Sequence, residues 1–346
     1  MPIGTKFEEV GMAFNKGIIT GVLRNELGFT GIVCTDWGLL TDVVLLGQDM
    51  PARAWGCEHL SEVQRVVKIL DAGCDQFGGE SRPELVVQAV RDGLVAETRL
   101  DESVRRVLTE KFILGLFDDR RFVDVEAAVC SVGHSRLMEL GRATQRRAFT
   151  VLINGNNAFP IPHREVAVRK FYVEGLLSEN SAISRGLTLV SAPMEADVAL
   201  LRVKAPYEPR PGGFESKFHA GSLEFPAKEV ARLAGIIEKV PITMLDVYLD
   251  RPAILTQLVE VQNRVNQQRG RGRREVSYGA ALMVNFAADD NAFLDVCLGV
   301  GSDLPEGRLP FDLPRSQAAV DKSREDVAFD SAKPLFPYGS GLAYNV

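Results

Sequence analysis

No apolar run in this chain approaches the roughly 18 residues that a membrane-crossing helix needs. Nor is there an excess of positive charge. The 40 Lys and Arg stand against 46 Asp and Glu, for a net charge of -6 and a pI near 5.5. That balance argues against nucleic acid or an anionic membrane as the main partner. The five cysteines, Cys34, Cys57, Cys74, Cys130 and Cys297, form no C-x-x-C pair, and their odd number disfavours a disulfide framework. Cys34 and Cys74 sit in apolar, strand-like runs and read as buried free thiols. No His/Cys cluster has ligand spacing, so no metal is expected. The opening Met1-Pro2-Ile3-Gly4-Thr5-Lys6 lacks the basic-then-apolar plan of a signal peptide.

What is present suits a globular protein of about two domains: 346 residues, 46% hydrophobic and 25% charged. Ile18, Ile19, Val22 and Leu23 fall at helical spacing before Gly28, and a strand Gly31–Thr35 follows. Ser61 can cap a helix carrying Val63, Val66, Val67 and Leu70, which Gly73 ends. A strand Cys74–Phe77 runs into Gly78-Gly79-Glu80. Pro83 then fits the first turn of a helix to Arg91, and Asp101 can cap another that turns Val104, Val107, Leu108 and Phe112 to one side. The segment from Asp118 to Val132 has no steady periodicity and reads as a linker. Beyond a helix from Ser135 to Arg147, strand candidates alternate with helices: Thr150–Ile153, Ala167–Val173, Leu187–Val190, Asp197–Val203, Thr243–Tyr248 and Ala281–Phe286. Helices are expected near Pro226–Glu238, Pro252–Asn263 and Asn291–Leu298, which together predict a mostly parallel sheet covered on both faces.

Gln262 to Tyr278 breaks this order with the run Arg269-Gly270-Arg271-Gly272-Arg273-Arg274. Arginine-glycine runs can bind RNA or phosphates. In an acidic chain the plainer reading is a solvated insertion, and retained intron sequence is a third.

The most informative stretch is Gly28-Phe29-Thr30-Gly31-Ile32-Val33-Cys34-Thr35-Asp36-Trp37-Gly38. A glycine-stopped helix enters a short apolar strand ending on an acid, an aromatic and a glycine. A strand of a (β/α) barrel delivers a catalytic carboxylate to the open face in this way. Asp is also common at strand ends for local hydrogen-bonding reasons, so both readings stand on these residues alone.

Taken with the rest of the order, the chain resembles glycoside hydrolase family 3, the β-glucosidase and β-xylosidase group. Leu23 through Gly38 is similar to the family's nucleophile strand. Leu100-Asp101-Glu102-Ser103-Val104 through Phe117-Asp118 is similar to the segment closing its barrel domain. Pro305-Glu306-Gly307-Arg308-Leu309-Pro310-Phe311 and Pro334 through Tyr344 look like the end of its second domain. The resemblance implies an α/β chain in which 1–117 holds the last two strands of a (β/α)8 barrel. Residues 118–134 then form a linker and 135–346 an α/β sandwich. It implies six further barrel strands that this chain lacks, with Met1 matching an internal position. No Lys-His dipeptide of the family's sugar grip occurs here. Two strands cannot close a barrel of eight.

The resemblance also implies a retaining exo-β-glycosidase, most simply a β-glucosidase, acting on a β-glycoside or oligosaccharide with no cofactor. Two carboxylates about 5–5.5 Å apart would do the chemistry. Asp36 takes the nucleophile role by position, and Trp37 could pack near the sugar or be structural. For the acid/base, Glu208 follows the strand Asp197–Val203 with Arg210 two residues on. Glu215 is the second candidate, and His219 could line the same loop. Neither glutamate reproduces the family's Glu-Gly-x-Asp-Arg pattern, and either could be an ordinary solvated loop residue. The competing reading is a non-catalytic remnant that binds carbohydrate or a partner. The resemblance leaves room for a homo-oligomer, and full-length relatives are often secreted.

Overall fold

The computed structural model describes residues 8–45, 47–118, 123–210, 218–269, 278–301, 304–324 and 327–344. The chain divides into two compact units, Met1–Ala128 and Val129–Val346.

In the first unit a helix over Gly17–Glu26 buries Ile19 and is wound wider than an α-helix; Leu27 N–H bonds to Val22 O, five residues back. Strand β1 (Cys34–Trp37) follows, then a hairpin of β2 (Val43–Leu45) and β3 (Gln48–Met50) between the expected strand and the Ser61-capped helix, where the sequence marks no strand. Helix α1 (Glu62–Ala72) starts on a reciprocal cap: Gln64 N–H donates to Ser61 Oγ, and Ser61 N–H to Gln64 Oε1. It buries Val66, Ile69 and Leu70 and ends at Gly73, whose φ of 107° suits glycine. Strand β4 (Gln76–Gly78), helix α2 (Pro83–Arg91, with Pro83 in its first turn) and helix α3 (Glu97–Ile113) complete this core.

Strands β1 and β4 run parallel, with Cys34 opposite Gln76 and Trp37 opposite Gly78. A buried carboxylate fixes where they start. Asp75 accepts from Val33 N–H (2.9 Å) and Ser103 Oγ (2.7 Å), and pairs with Arg24 (2.6 Å) and Arg106 (2.7 Å).

Several sequence expectations shift here. The strands begin and end later than Gly31–Thr35 and Cys74–Phe77 suggest. Strand alternation turns Thr35 inward, so Cys34 is exposed with Asp36 rather than buried; Cys74 is buried as expected. Asp101 lies inside α3 and caps nothing, because the helix starts four residues earlier, at Glu97. Val104, Leu108 and Phe112 of α3 are exposed. The expected linker contains helix α4 (Val125–Ser131), none of whose residues is buried.

The second unit opens with α5 (Ser135–Ala148) and β5 (Thr150–Asn154). Short helix α6 (His163–Val166), β6 (Lys170–Glu174), α7 (Asn180–Ile183), β7 (Thr188–Leu189) and β8 (Val198–Lys204) follow. Then come α8 (Ala227–Lys239), β9 (Ile242–Tyr248), α9 (Thr256–Arg269), β10 (Gly279–Asn285), α10 (Asp290–Leu298) and α11 (Gln317–Val320). The sheet order is β5-β10-β9-β8-β6-β7; β5 runs antiparallel to β10 and every other pairing is parallel.

Alternation along the central strands builds two cores. Leu201, Leu245 and Leu282 pack with Leu233 and Ile237 of α8 and Leu258 of α9. Leu200, Met244 and Met283 face Phe293 of α10. On that second face a polar row interrupts the apolar one. Arg202 Nε donates to Asp246 (2.9 Å), Asn285 Nδ2 to the same carboxylate (2.9 Å), and Arg202 also pairs with Asp290 (2.6 Å).

Helix α9 extends to Arg269, six residues past its expected end, so the first part of the arginine-rich stretch is helical. Gln262 is fully buried and donates to Ala281 O, while Arg269 donates to Pro241 O (2.8 Å) and Ile237 O (3.0 Å). The 270–277 part lies outside the described residues.

Candidate active site

Asp36 stands near the carboxyl end of β1, with its side chain 68% exposed. One oxygen accepts the Trp37 N–H at 2.8 Å; the other lies 3.2 Å from the Arg53 guanidinium, which also donates to Trp37 O. Arg53 N–H in turn bonds to Gly38 O (2.9 Å), which draws the chain after the hairpin back against the strand end. Asp36 opens into a hollow of about 380 Å³ shared with Arg53, Trp55, Phe14 and Leu39.

Trp37 is 63% exposed because its ring lies against the turn after β4 instead of entering the core. A Cβ at Gly78 or Gly79 would collide with that ring, and Gly79 has φ of 65°, so both positions need glycine. The next residue, Glu80, accepts Leu40 N–H (2.8 Å) and the Thr41 hydroxyl (3.0 Å), tying the loop after Trp37-Gly38 to β4. Thr35 completes the join: its hydroxyl receives Gly78 N–H at 2.9 Å and donates to Asp36 O at 2.8 Å. The result is an exposed carboxylate and, on the next residue, an exposed indole, both carried by a fixed strand end. A carboxylate so exposed can serve as a nucleophile, and an exposed indole as a stacking surface.

The other sequence-derived candidates belong to the second unit, on the loop after β8. Glu208 is exposed, its N–H bonds to Ala220 O (2.8 Å), and its carboxylate folds over Gly221 to accept Ser222 N–H (3.3 Å). Tyr207 and His219 stack with ring centroids 3.8 Å apart and planes 9° from parallel. His219 Nδ1 hydrogen-bonds the Asp250 carboxylate, and Arg251 donates to Ala220 O and, at 2.7 Å, to Gly221 O. The two arms of the loop are thus joined by the Glu208–Ala220 bond and the Tyr207–His219 stack, and residues that follow β9 hold the returning arm. Arg210 is exposed on the outgoing arm, and Glu215 lies outside the described residues.

The structure therefore joins Asp36 to Trp37 in one cluster and Glu208 to His219 in another, within separate units. Sequence reading missed Arg53, Glu80, Asp250 and Arg251. Each is polar and sits in a turn after a strand or hairpin, with no periodicity to mark it. Among the described residues no group of His, Cys, Asp and Glu could hold a metal ion, and no helix is long and apolar enough to cross a membrane.

Comparison with known proteins points to one family. Residues 3–110 match the model of the glycosyl hydrolase family 3 N terminal domain. β-Glucosidase C of Emericella nidulans is 51% identical over 343 residues, covering 99% of this chain and 52% of the relative. A periplasmic β-glucosidase/β-xylosidase of Dickeya chrysanthemi is 36% identical over 354 residues, covering 99% of this chain and 50% of its own. Among solved structures, the β-glucosidase of Listeria innocua in complex with glucose superposes with a TM-score of 0.68 at 17% identity. It covers 97% of this chain and 50% of that one. The chain spans about half the length of the curated relatives it matches. Similarity that runs through both units, at half identity with a named β-glucosidase, decides the question: this chain belongs to glycoside hydrolase family 3.

Proposed function

We propose that this chain carries half of the machinery of a retaining β-glycosidase acting on β-glucosides, with Asp36 as the nucleophile. The supporting observation is the exposed Asp36 carboxylate at the end of a parallel strand, paired with the Arg53 guanidinium and followed by the exposed Trp37. In such a reaction Asp36 attacks the anomeric carbon as the leaving oxygen is protonated, and water then releases the glycosyl group from the carboxylate. Trp37 would stack on a sugar face, and the polar loop of Glu208, Arg210 and His219 would supply proton transfer and hydroxyl contacts, with Glu208 as acid/base. We further propose that Met1–Phe117 is a piece of a (β/α)8 barrel and residues 135–346 an α/β sandwich. The parallel β1–β4 pair and the six-stranded, helix-covered sheet support this architecture.

The test is covalent trapping. The purified chain is incubated with 2-deoxy-2-fluoro-β-glucosyl fluoride, digested and read by mass spectrometry, with Asp36→Asn as control. The expected result is one fluoroglucosyl label on the peptide containing Asp36, lost in the variant. A label on another carboxylate, or none, sinks the assignment.

A second reading is a carbohydrate-binding remnant without turnover. It is favoured by Glu208, whose carboxylate is engaged by Ser222 N–H within its own loop. It predicts glucoside binding that Trp37→Ala weakens, with no label.

A further inference from the structure

The hairpin that follows β1 returns the chain to the strand end as a strap, residues 52–56, whose backbone is fixed along its length. Ala52 N–H donates to the Asp42 carboxylate (2.8 Å), and Arg53 N–H to Gly38 O (2.9 Å). Ala54 is fully buried, and Trp55 O accepts the Gly11 N–H (2.8 Å). Gly56 has φ of 76°, and a Cβ there would collide with Glu9 O, so the exit from the strap needs glycine. On this fixed backbone the Trp55 indole is 63% exposed. An aromatic of that size gains much from burial, so one held out on a rigid backbone is placed to gain it from a ligand.

Arg53 and Trp55 both line the hollow of about 380 Å³ into which Asp36 opens, together with Phe14 and Leu39. Its volume falls within the roughly 300–1,000 Å³ of small-molecule sites, and its apolar walls with a few convergent charges are theirs too. Arg53 reaches Asp36 at 3.2 Å, and Trp55, two residues on, walls the same space. One strap therefore holds the carboxylate and presents an aromatic. Trp37 has a different setting, since its ring lies against Gly78 and Gly79 of the turn after β4.

The lining defines a ligand that combines hydroxyls for the carboxylate and guanidinium with a flat apolar face for the indole. A β-glucosyl ring carries both, because its equatorial hydroxyls leave axial C–H bonds on each face. We infer that Trp55 is the aromatic wall of the subsite for the glucosyl ring that meets Asp36, with Arg53 holding the carboxylate towards that ring. This deepens the hydrolytic reading and rests on it for the identity of the ring.

Two measurements on the full chain test it. The first follows Trp55 emission in the Trp37→Phe variant, which leaves Trp55 as its one tryptophan, during titration with methyl β-glucoside. A saturable shift is expected, and none with glycerol. The second measures the rate of labelling at Asp36 against the concentration of 2-deoxy-2-fluoro-β-glucosyl fluoride. Trp55→Ala should raise the half-saturating concentration about tenfold and leave the maximal rate within about threefold of the parent. Trp55→Phe should recover most of the loss. Far-UV circular dichroism checks each fold, and if Trp55→Ala loses its own, the emission titration decides. A labelled parent, with Trp55→Ala saturating at the same concentration and Trp55 emission unmoved, overturns the inference and leaves the hydrolytic reading standing. A Trp55 shift with no label sustains the subsite and removes the hydrolytic reading. Neither shift nor label overturns both.

Discussion

Asp75 and Asp246 are both buried beside guanidinium groups, yet their carboxyls titrate in opposite directions. For Asp75 burial alone would raise the pKa, but the Val33 N–H, the Ser103 hydroxyl and Arg106 outweigh it, and the net shift is downward. For Asp246 complete burial dominates and pushes the pKa up to about 6, against Arg202 and Asn285 and with the help of Asp290. The linkage follows from those signs. A depressed Asp75 stabilises the fold above the ordinary carboxylate range, and that contribution is lost as pH falls through its folded value. Asp75→Asn would face Arg24 and Arg106 with an uncharged amide and should cost about 3–5 kcal/mol, measured as lost stability of the first unit in urea. A raised Asp246 binds more protons folded than unfolded between about pH 4 and 6, so its contribution falls as pH rises through that window. The full effect is roughly 3 kcal/mol. Asp246→Asn should remove it, seen by comparing the urea midpoints of variant and parent at pH 4.5 and 7. An unchanged difference between the two pH values would refute the buried-acid account. Cys74 behaves as a structural thiol, since burial and then the Asp75 charge push its pKa to about 11.

Among the elements, the turn after β4 matters most for the site. Its glycines leave space for the Trp37 ring, and Glu80 holds the loop after β1. Gly79→Ala would force an L side chain into positive φ and into the indole. A loss of about 1–3 kcal/mol is expected. A shift in Trp37 emission, read in a Trp55→Phe background, should accompany it. Ser61→Ala removes one half of the α1 cap and should cost about 1 kcal/mol. Helix α1 was legible in sequence at both ends because a capping Ser and a terminal Gly are local signals. Strand β1 was legible in kind but displaced, and α3 hid its start because Ala96, its N-cap, carries no capping side chain. The end of α9 was masked by composition: Arg269 looks like the start of a solvated run, yet its guanidinium is spent on carbonyls around the end of α8.

For the molecule as a whole, the two units differ in what their sheets bury. Six strands with helices on both faces hold the second unit, whereas the first relies on two strands and the packing of α1, α2 and their neighbours. Limited proteolysis should therefore degrade the first unit sooner and leave a fragment near residues 129–346. Survival of the first unit instead would show that its small core carries more stability than its burial suggests.

The sequence by itself determined the longer helices and the main strands of both units, the strand that presents Asp36 and Trp37, and the family. All of these rest on local periodicity, caps and contiguous motifs. Only the tertiary structure decided which face Cys34 takes, that Asp75 and Asp246 are buried charges, and that Arg53, Glu80 and Arg251 fasten the site loops. Those roles depend on partners brought from elsewhere in the chain: Asp36 to Arg53 across a hairpin, Asp75 to Arg106 of α3 across a strand and a helix, and Arg251 to Gly221 across a helix and a strand. No stretch of sequence read alone contains both members of such a pair.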